Sequence, residues 1–166
     1  RNINFDMRMY KRLRMYVHAE AGPDGTPLYD DDLTCFIRLG NDFENNYYEY
    51  EIPMKVTPWN TGDEDLIWPA ENNIDIEFRK LQNLKIERPA GFPLFEEYEG
   101  LDSEYDARLA VKGNPNLANV VMVMVGVRNP DKDDNVFDAE DDGLDKCSVV
   151  WVNEMRLADF NQKGGW

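Results

Sequence analysis

Between positions 47 and 57 the chain alternates with a period of two. Tyr48, Tyr50, Ile52, Met54 and Val56 fall on one side, and Tyr47, Glu49, Glu51, Lys55 and Thr57 on the other. Successive side chains of an extended strand point to opposite faces, so this pattern commits the segment to a half-buried β-strand and excludes a helix. Pro53 lies within it and cannot donate a ladder hydrogen bond, which places the strand at a sheet edge or a bulge. The same period recurs where Leu13, Met15, Val17, Ala19 and Ala21 alternate with Arg12, Arg14, Tyr16, His18 and Glu20, and again at Ala107, Leu109 and Val111. Residues 33–39 read as another strand, stopped by Gly40-Asn41-Asp42.

Other segments carry different patterns. Residues 120–127 are apolar on both faces, which suits a central strand covered from both sides, and residues 149–157 begin the same way before turning amphipathic. A helix is predicted within residues 71–87, where Ile74, Phe78, Leu81 and Leu84 recur at helical spacing and Pro89 limits extension. Ile74-Asp75-Ile76 reads equally as a short strand feeding a shorter helix. Residues 89–106 hold Pro89, Gly91, Pro93 and Gly100 and read as a long connection that packs Phe92, Phe95 and Tyr98. Residues 22–32, 58–69 and 131–146 are loops. About six strands and one short helix predict a mainly β, single-domain, two-layer sandwich of jelly-roll type. An α+β sheet with a helix on one face is the alternative.

Charge narrows the partners. Thirty-three acids against 18 bases give a net charge of −15, the wrong sign for phosphate, so nucleic acid is excluded as a ligand. The first fourteen residues run against the trend, with Arg1, Arg8, Lys11, Arg12 and Arg14 against Asp6. A basic first strand of this kind pairs with acidic neighbours in a folded sheet. The longest apolar run, 120–127, falls well short of the roughly 20 residues of a membrane-spanning helix. The chain opens at Arg1 and closes at Gly164-Gly165-Trp166, so both ends read as cuts in a longer polypeptide.

Residues for chemistry are scarce. His18 is the only histidine; it stands on the polar side of its strand and reads as a surface residue, which leaves a Ser–His–Asp or Cys–His centre without a base. Cys35 and Cys147 are too few for a disulfide framework or a zinc site, and read as two separate buried thiols, although pairing is geometrically possible. A glycosidase needs one carboxyl with a raised pKa facing another. Glu154, framed by an apolar strand, reads instead as a salt-bridge partner for an arginine on a neighbouring strand. In the acidic 131–146 loop, Asp131, Asp133, Asn135 and Asp142 stand at positions 1, 3, 5 and 12 of a weak calcium register, with Val136 where the turn needs glycine. A second register, Asp138, Glu140, Asp142 and Gly143, gains the glycine and meets Val149 at its last place. The loop therefore reads as solvated and the chain as free of cofactors, with calcium a minor possibility. Trp59, Trp68 and Tyr47 are candidates for a saccharide-stacking platform, or for caps on the core.

Two long stretches are more specific: residues 34–56 (TCFIRLGNDFENNYYEYEIPMKV) and residues 150–160 (VWVNEMRLADF), followed by Gly164-Gly165-Trp166. With Trp68-Pro69-Ala70-Glu71-Asn72-Asn73 between them, they make the chain resemble the SprA (Sov) family, giant outer-membrane translocons of the type IX secretion system, associated with gliding motility in Bacteroidota. The resemblance implies membership of a very large β-barrel that carries folded cargo across the outer membrane. Barrel strands alternate apolar-out and polar-in between aromatic girdles, and this chain does not. The resemblance thus implies a soluble domain inserted between barrel strands, which does not itself span the membrane. Its expected work is non-catalytic: shaping or capping the pore from the extracellular or periplasmic face, and contacting the barrel, accessory proteins or secreted cargo. Tyr47, Glu49 and Glu51, on the expected edge strand, are the predicted partner contacts. The alternative reading is a carbohydrate-binding β-sandwich module, calcium-stabilised; a carboxylate-dependent glycosidase is third.

Overall fold

The computed structural model describes residues 5–160; Arg1 and Gly164-Gly165-Trp166 lie outside them. Eight strands, two short α-helices and two 3₁₀ turns form a β-sandwich. Its three-stranded sheet has the order β4 (Asn73–Glu77), β1 (Tyr10–Ala21), β8 (Ser148–Phe160). The five-stranded sheet has the order β5 (Tyr98–Asp102), β6 (Ala107–Lys112), β3 (Tyr47–Pro53), β2 (Thr34–Gly40), β7 (Met122–Arg128). All strand pairs are antiparallel, and β1 pairs β8, β2 pairs β7 and β3 pairs β6. The first-with-last and second-with-penultimate pairings are those of a jelly roll, but β2 and β3 lie side by side in one sheet and β4 pairs β1, not β5, so the likeness is partial.

The alternating residues meet between the sheets. Leu13, Met15, Val17 and Ala19 of β1 and Ile74 and Ile76 of β4 face Cys35, Ile37 and Leu39 of β2, Tyr48, Tyr50 and Ile52 of β3, and Leu109 and Val111 of β6 in one buried cluster. The second of the two helix readings holds. Ile74 and Ile76 alternate within β4, and the helix α2 (Phe78–Glu87) begins only where the spacing changes to Phe78, Leu81, Leu84. Those three side chains are buried. α2 packs against β1, β4, β5 and β6, closing the side of the sandwich where β4 and β5 end the sheets. A one-turn helix, α1 (Glu64–Ile67), capped by the Asp63 carboxylate, interrupts the 58–69 loop.

Four expectations are corrected. The strand at Tyr47–Pro53 is interior, lying between β2 and β6. Pro53 is tolerated because β6 pairs only with residues 47–51, so no donor is needed on that side of position 53. The doubly apolar run near 120–127 is an edge strand, β7, not a central one. The 89–106 connection contains β5, hidden in the sequence by glycine and alternating acids. His18 is buried. The Ile67 carbonyl can only accept, so Nδ1–H donates to it at 2.8 Å; Thr57 Oγ1 lies 2.9 Å from the same nitrogen and Trp68 packs alongside. The basic start behaves as expected: Arg12 and Arg14 both bind Asp75 of β4, at 2.7 and 3.1 Å.

Candidate functional site

A strand interior to a sheet still has an outer face, and here that face is charged. Registers place Arg38 of β2 beside Glu49 of β3, and Arg108 of β6 beside Glu51. Arg128 of β7 lies opposite Thr34 of β2. The Glu49 side chain is wholly buried and is bound by Arg38, by Arg108 and, at 3.2 and 3.3 Å, by Arg128. Glu51 accepts from the Thr34 hydroxyl at 2.5 Å, from Arg108 Nε at 2.7 Å, and from Arg128. Tyr47 donates its hydroxyl to Glu97, and Arg108 also reaches Glu99 at 2.6 Å.

Aromatic rings brace this layer. The Arg38 guanidinium stacks 4.1 Å from the Tyr47 ring centre and that of Arg128 stands 4.5 Å from Phe36. Gly126 of β7 makes room, because a β-carbon there would stand 2.4 Å from the Phe36 ring. Arg38 and Arg128 therefore each bind carboxylates while standing over an aromatic ring. Burial alone pushes the Glu51 carboxyl up. The Thr34 hydroxyl and the guanidinium groups of Arg108 and Arg128 outweigh it and hold Glu51 below the usual carboxylate range. Tyr47 is pushed well up by burial and by the Glu97 carboxylate.

Beside this layer lies a groove of about 560 Å³ with Glu51, Arg108, Arg128 and Glu99 among its walls and Asp131, Asp133, Asp134 and Val136 of the acidic loop along its rim. The structure thus brings Glu51 and three of the four calcium-register residues, Asp131, Asp133 and Asn135, around one groove, with Asp142 elsewhere. They do not form a cation cage. Among the described residues no three His, Cys, Asp or Glu side chains converge to hold a metal ion. Asn135 is a structural keystone: its Oδ1 accepts from Phe137 and Asp138 N–H, and its Nδ2 donates to the Asp31 carbonyl and to Asp141. Asp142 is turned to Lys146, which also meets Asp32 at 3.2 Å. The loop is exposed along most of its length, as expected, and is tied to Asp31, ahead of β2, through buried Asn135, which Asp141 braces.

The remaining candidates separate. Tyr47 and Glu49, named as surface contacts on the premise of an edge strand, are 1% and 0% exposed, and Glu51 is 3% exposed. Trp59 is 91% exposed, Trp68 at the far end of the same loop is against His18, and Tyr47 is under Arg38, so these three form no common aromatic platform. Glu154 lies at a bulge in β8, at φ 52°, and its arginine partner is Arg156 of the same strand, exposed, at 3.5 Å. Cys35 is buried, with its thiol pushed up to about 12 by desolvation and then by Glu51; Cys147 is half-buried, and both are free thiols. The residues missed in the sequence are Arg38, Arg108 and Arg128. Each is an arginine within a strand, two or more residues from any other charge of its own strand, and that was the available signal.

Comparison with protein families gives a match over residues 1–166, the whole chain, to a family model named SprA_N and described as a motility related/secretion protein. Comparison with curated proteins found no match. No helix among the described residues is long and apolar enough to cross a membrane, which leaves crossing by β-strands untouched.

Proposed function

The chain belongs to the SprA_N family of motility related/secretion proteins, and from that premise we propose that it is a non-catalytic structural and interaction domain of an outer-membrane secretion translocon of the type IX kind. The observation that carries the proposal is the end-to-end family match, combined with how the charged layer is used. Glu49, Glu51 and Arg108, the groups with the burial and crowding that catalysis exploits, are bound to one another. Glu49 alone is shared by three guanidinium groups. A carboxylate so held stabilises a sheet and leaves no proton or lone pair for a substrate. The domain works on this reading as a rigid body within the cell envelope, with the barrel, its accessory proteins and secreted cargo as its partners.

The test is genetic and biochemical. Residues 5–160 are replaced in the parent protein by a flexible linker, and outer-membrane level, partner co-purification and cargo export are measured. The proposal expects the parent protein at the membrane with export and partner recovery lost. Full export without the domain would overturn it.

A further inference from the structure

The two sides of the sandwich are finished differently. Where β4 and β5 end the sheets, both strands are five residues long, carry acids, and are covered by α2. On the opposite side the sheets end in β7 and β8. Met122 to Val127 of β7 carries no charge. The registers of β7 against β2 and of β8 against β1 put Val123 and Val127 in line with core residues Leu39 and Cys35, and Val152 in line with Val17. These valines point into the sandwich, yet they are 38%, 43% and 50% exposed. The core residues behind them stay closed, at 1% exposure or less, while among the described residues nothing covers the valines themselves, which line an apolar slot between β7 and β8.

Sheet edges are normally protected by charge, bulges or cover. β8 has such protection: a bulge at Glu154 and Met155 opposite Met15, and the charges of Glu154, Arg156 and Asp159. β7 has none. Just ahead of it, Val120 exchanges both backbone hydrogen bonds with Phe5, at 2.9 and 3.0 Å, while Val121 N–H turns the other way to Gly40 of β2. Backbone already pairs, antiparallel, on the side of this edge away from β2. At the other end of the slot the 131–146 loop joins β7 to β8, and Asp131, Asp133, Asp134, Glu140, Asp142 and Asp145 are exposed there.

We propose that the open edge of β7 receives an extended polypeptide strand, antiparallel to it, with apolar residues at alternate positions that fill the slot against Val123, Val127 and Val152, and with lysine or arginine at the end lying beside the 131–146 loop. An added strand satisfies the N–H and C=O groups of the edge that no described residue pairs, and its alternate side chains fit a one-sided apolar slot. The acidic loop sets the charge. It favours a basic flank and opposes a second copy of this chain, which would bring a like-charged loop against it. The inference rests on the edge geometry and not on the secretion reading.

The test is site-specific photo-crosslinking in the full-length parent protein in cells. A photoreactive residue is placed at Val123, Val127 or Val152, and at Leu101 on the opposite edge as control, and the attached peptides are sequenced. The expected result is one extended peptide, basic at one end, captured from all three slot positions at least about tenfold above Leu101 and lost to a similar degree on Val127→Lys, as removal of an apolar contact of this size implies. Val127 is exposed, so that variant keeps its fold, which circular dichroism checks. Capture of the same slot residues of a second copy, capture of lipid, capture of a peptide without the basic flank, or no capture above Leu101 would each overturn the proposal. Loss of export on deleting the domain, without capture at the slot, would leave the functional reading standing and remove this one.

Discussion

Replacing Glu49 with alanine removes the one carboxylate that Arg38, Arg108 and Arg128 share, at a position with no solvent access. Truncating one partner of a buried ion pair costs about 3–5 kcal/mol, because the surviving charges keep their desolvation and lose their compensation. Arg128 is 31% exposed and recovers some hydration; Arg108 and Arg38, at 11% and 18%, recover less. Glu51 still binds Arg108 and Arg128, so the lower half of the range, about 3 kcal/mol, is expected. For a chain of this length each kcal/mol moves the midpoint of thermal unfolding by about 2–4 °C, so a drop of roughly 6–12 °C follows. The assay is equilibrium denaturation followed by tryptophan fluorescence and circular dichroism, with Arg8→Ala as the control. That arginine pairs with Asp6 at the surface, and its loss leaves the midpoint in place. A Glu49→Ala change of less than about 1 kcal/mol, the level of a surface pair, would refute the claim that this layer holds the sheet together.

Three further outcomes follow from single residues. Glu51 titrates below its ordinary value, so its contribution is fully present above the usual glutamate range and is lost as pH falls through the lowered folded-state value. The unfolding midpoint should hold from neutrality to about pH 4.5 and then decline, and Glu51→Gln should flatten that decline. Cys35, fully buried and with its thiol pushed up to about 12, should resist a thiol reagent in the native protein while Cys147 reacts; in denaturant both should react. Gly113 has φ +66° and a β-carbon there would lie 2.0 Å from the Asn45 carbonyl oxygen, whereas Gly25, at φ +78°, has open space. Gly113→Ala should therefore cost about 2–3 kcal/mol and Gly25→Ala about 1 kcal/mol in denaturant titrations.

What the sequence disclosed depended on how local the cause was. The alternation in β1, β2, β3 and β6 is a property of each strand alone, and the sandwich with its core side chains was legible from it. β5 was not, because Glu99, Gly100 and Asp102 break the apolar period and its place is set by β6. The interior position of β3 was misread because Pro53 argued for an edge or a bulge, and alternating Tyr47, Glu49 and Glu51 then look like a solvated face. Their burial depends on arginines 11, 59 and 79 positions from Glu49, which no local window contains. The same distance effect hid His18, whose partners come from the 57–67 segment. The order of β7 and β8 was invisible for the opposite reason. Their apolar faces read as central strands, and the structure leaves those faces half open.

The central claim is that this domain acts in secretion by holding and contacting, not by chemistry. The most direct measurement is cargo export by cells whose parent protein carries isosteric carboxamides at the groove wall, Glu97→Gln and Glu99→Gln, singly, with the amount and fold of the parent protein checked alongside. Export at the level of the unmodified protein in every variant is the predicted result. Abolition of export by any one of these substitutions, in a protein still folded and present at its normal level, would contradict it and assign a catalytic carboxylate to the groove.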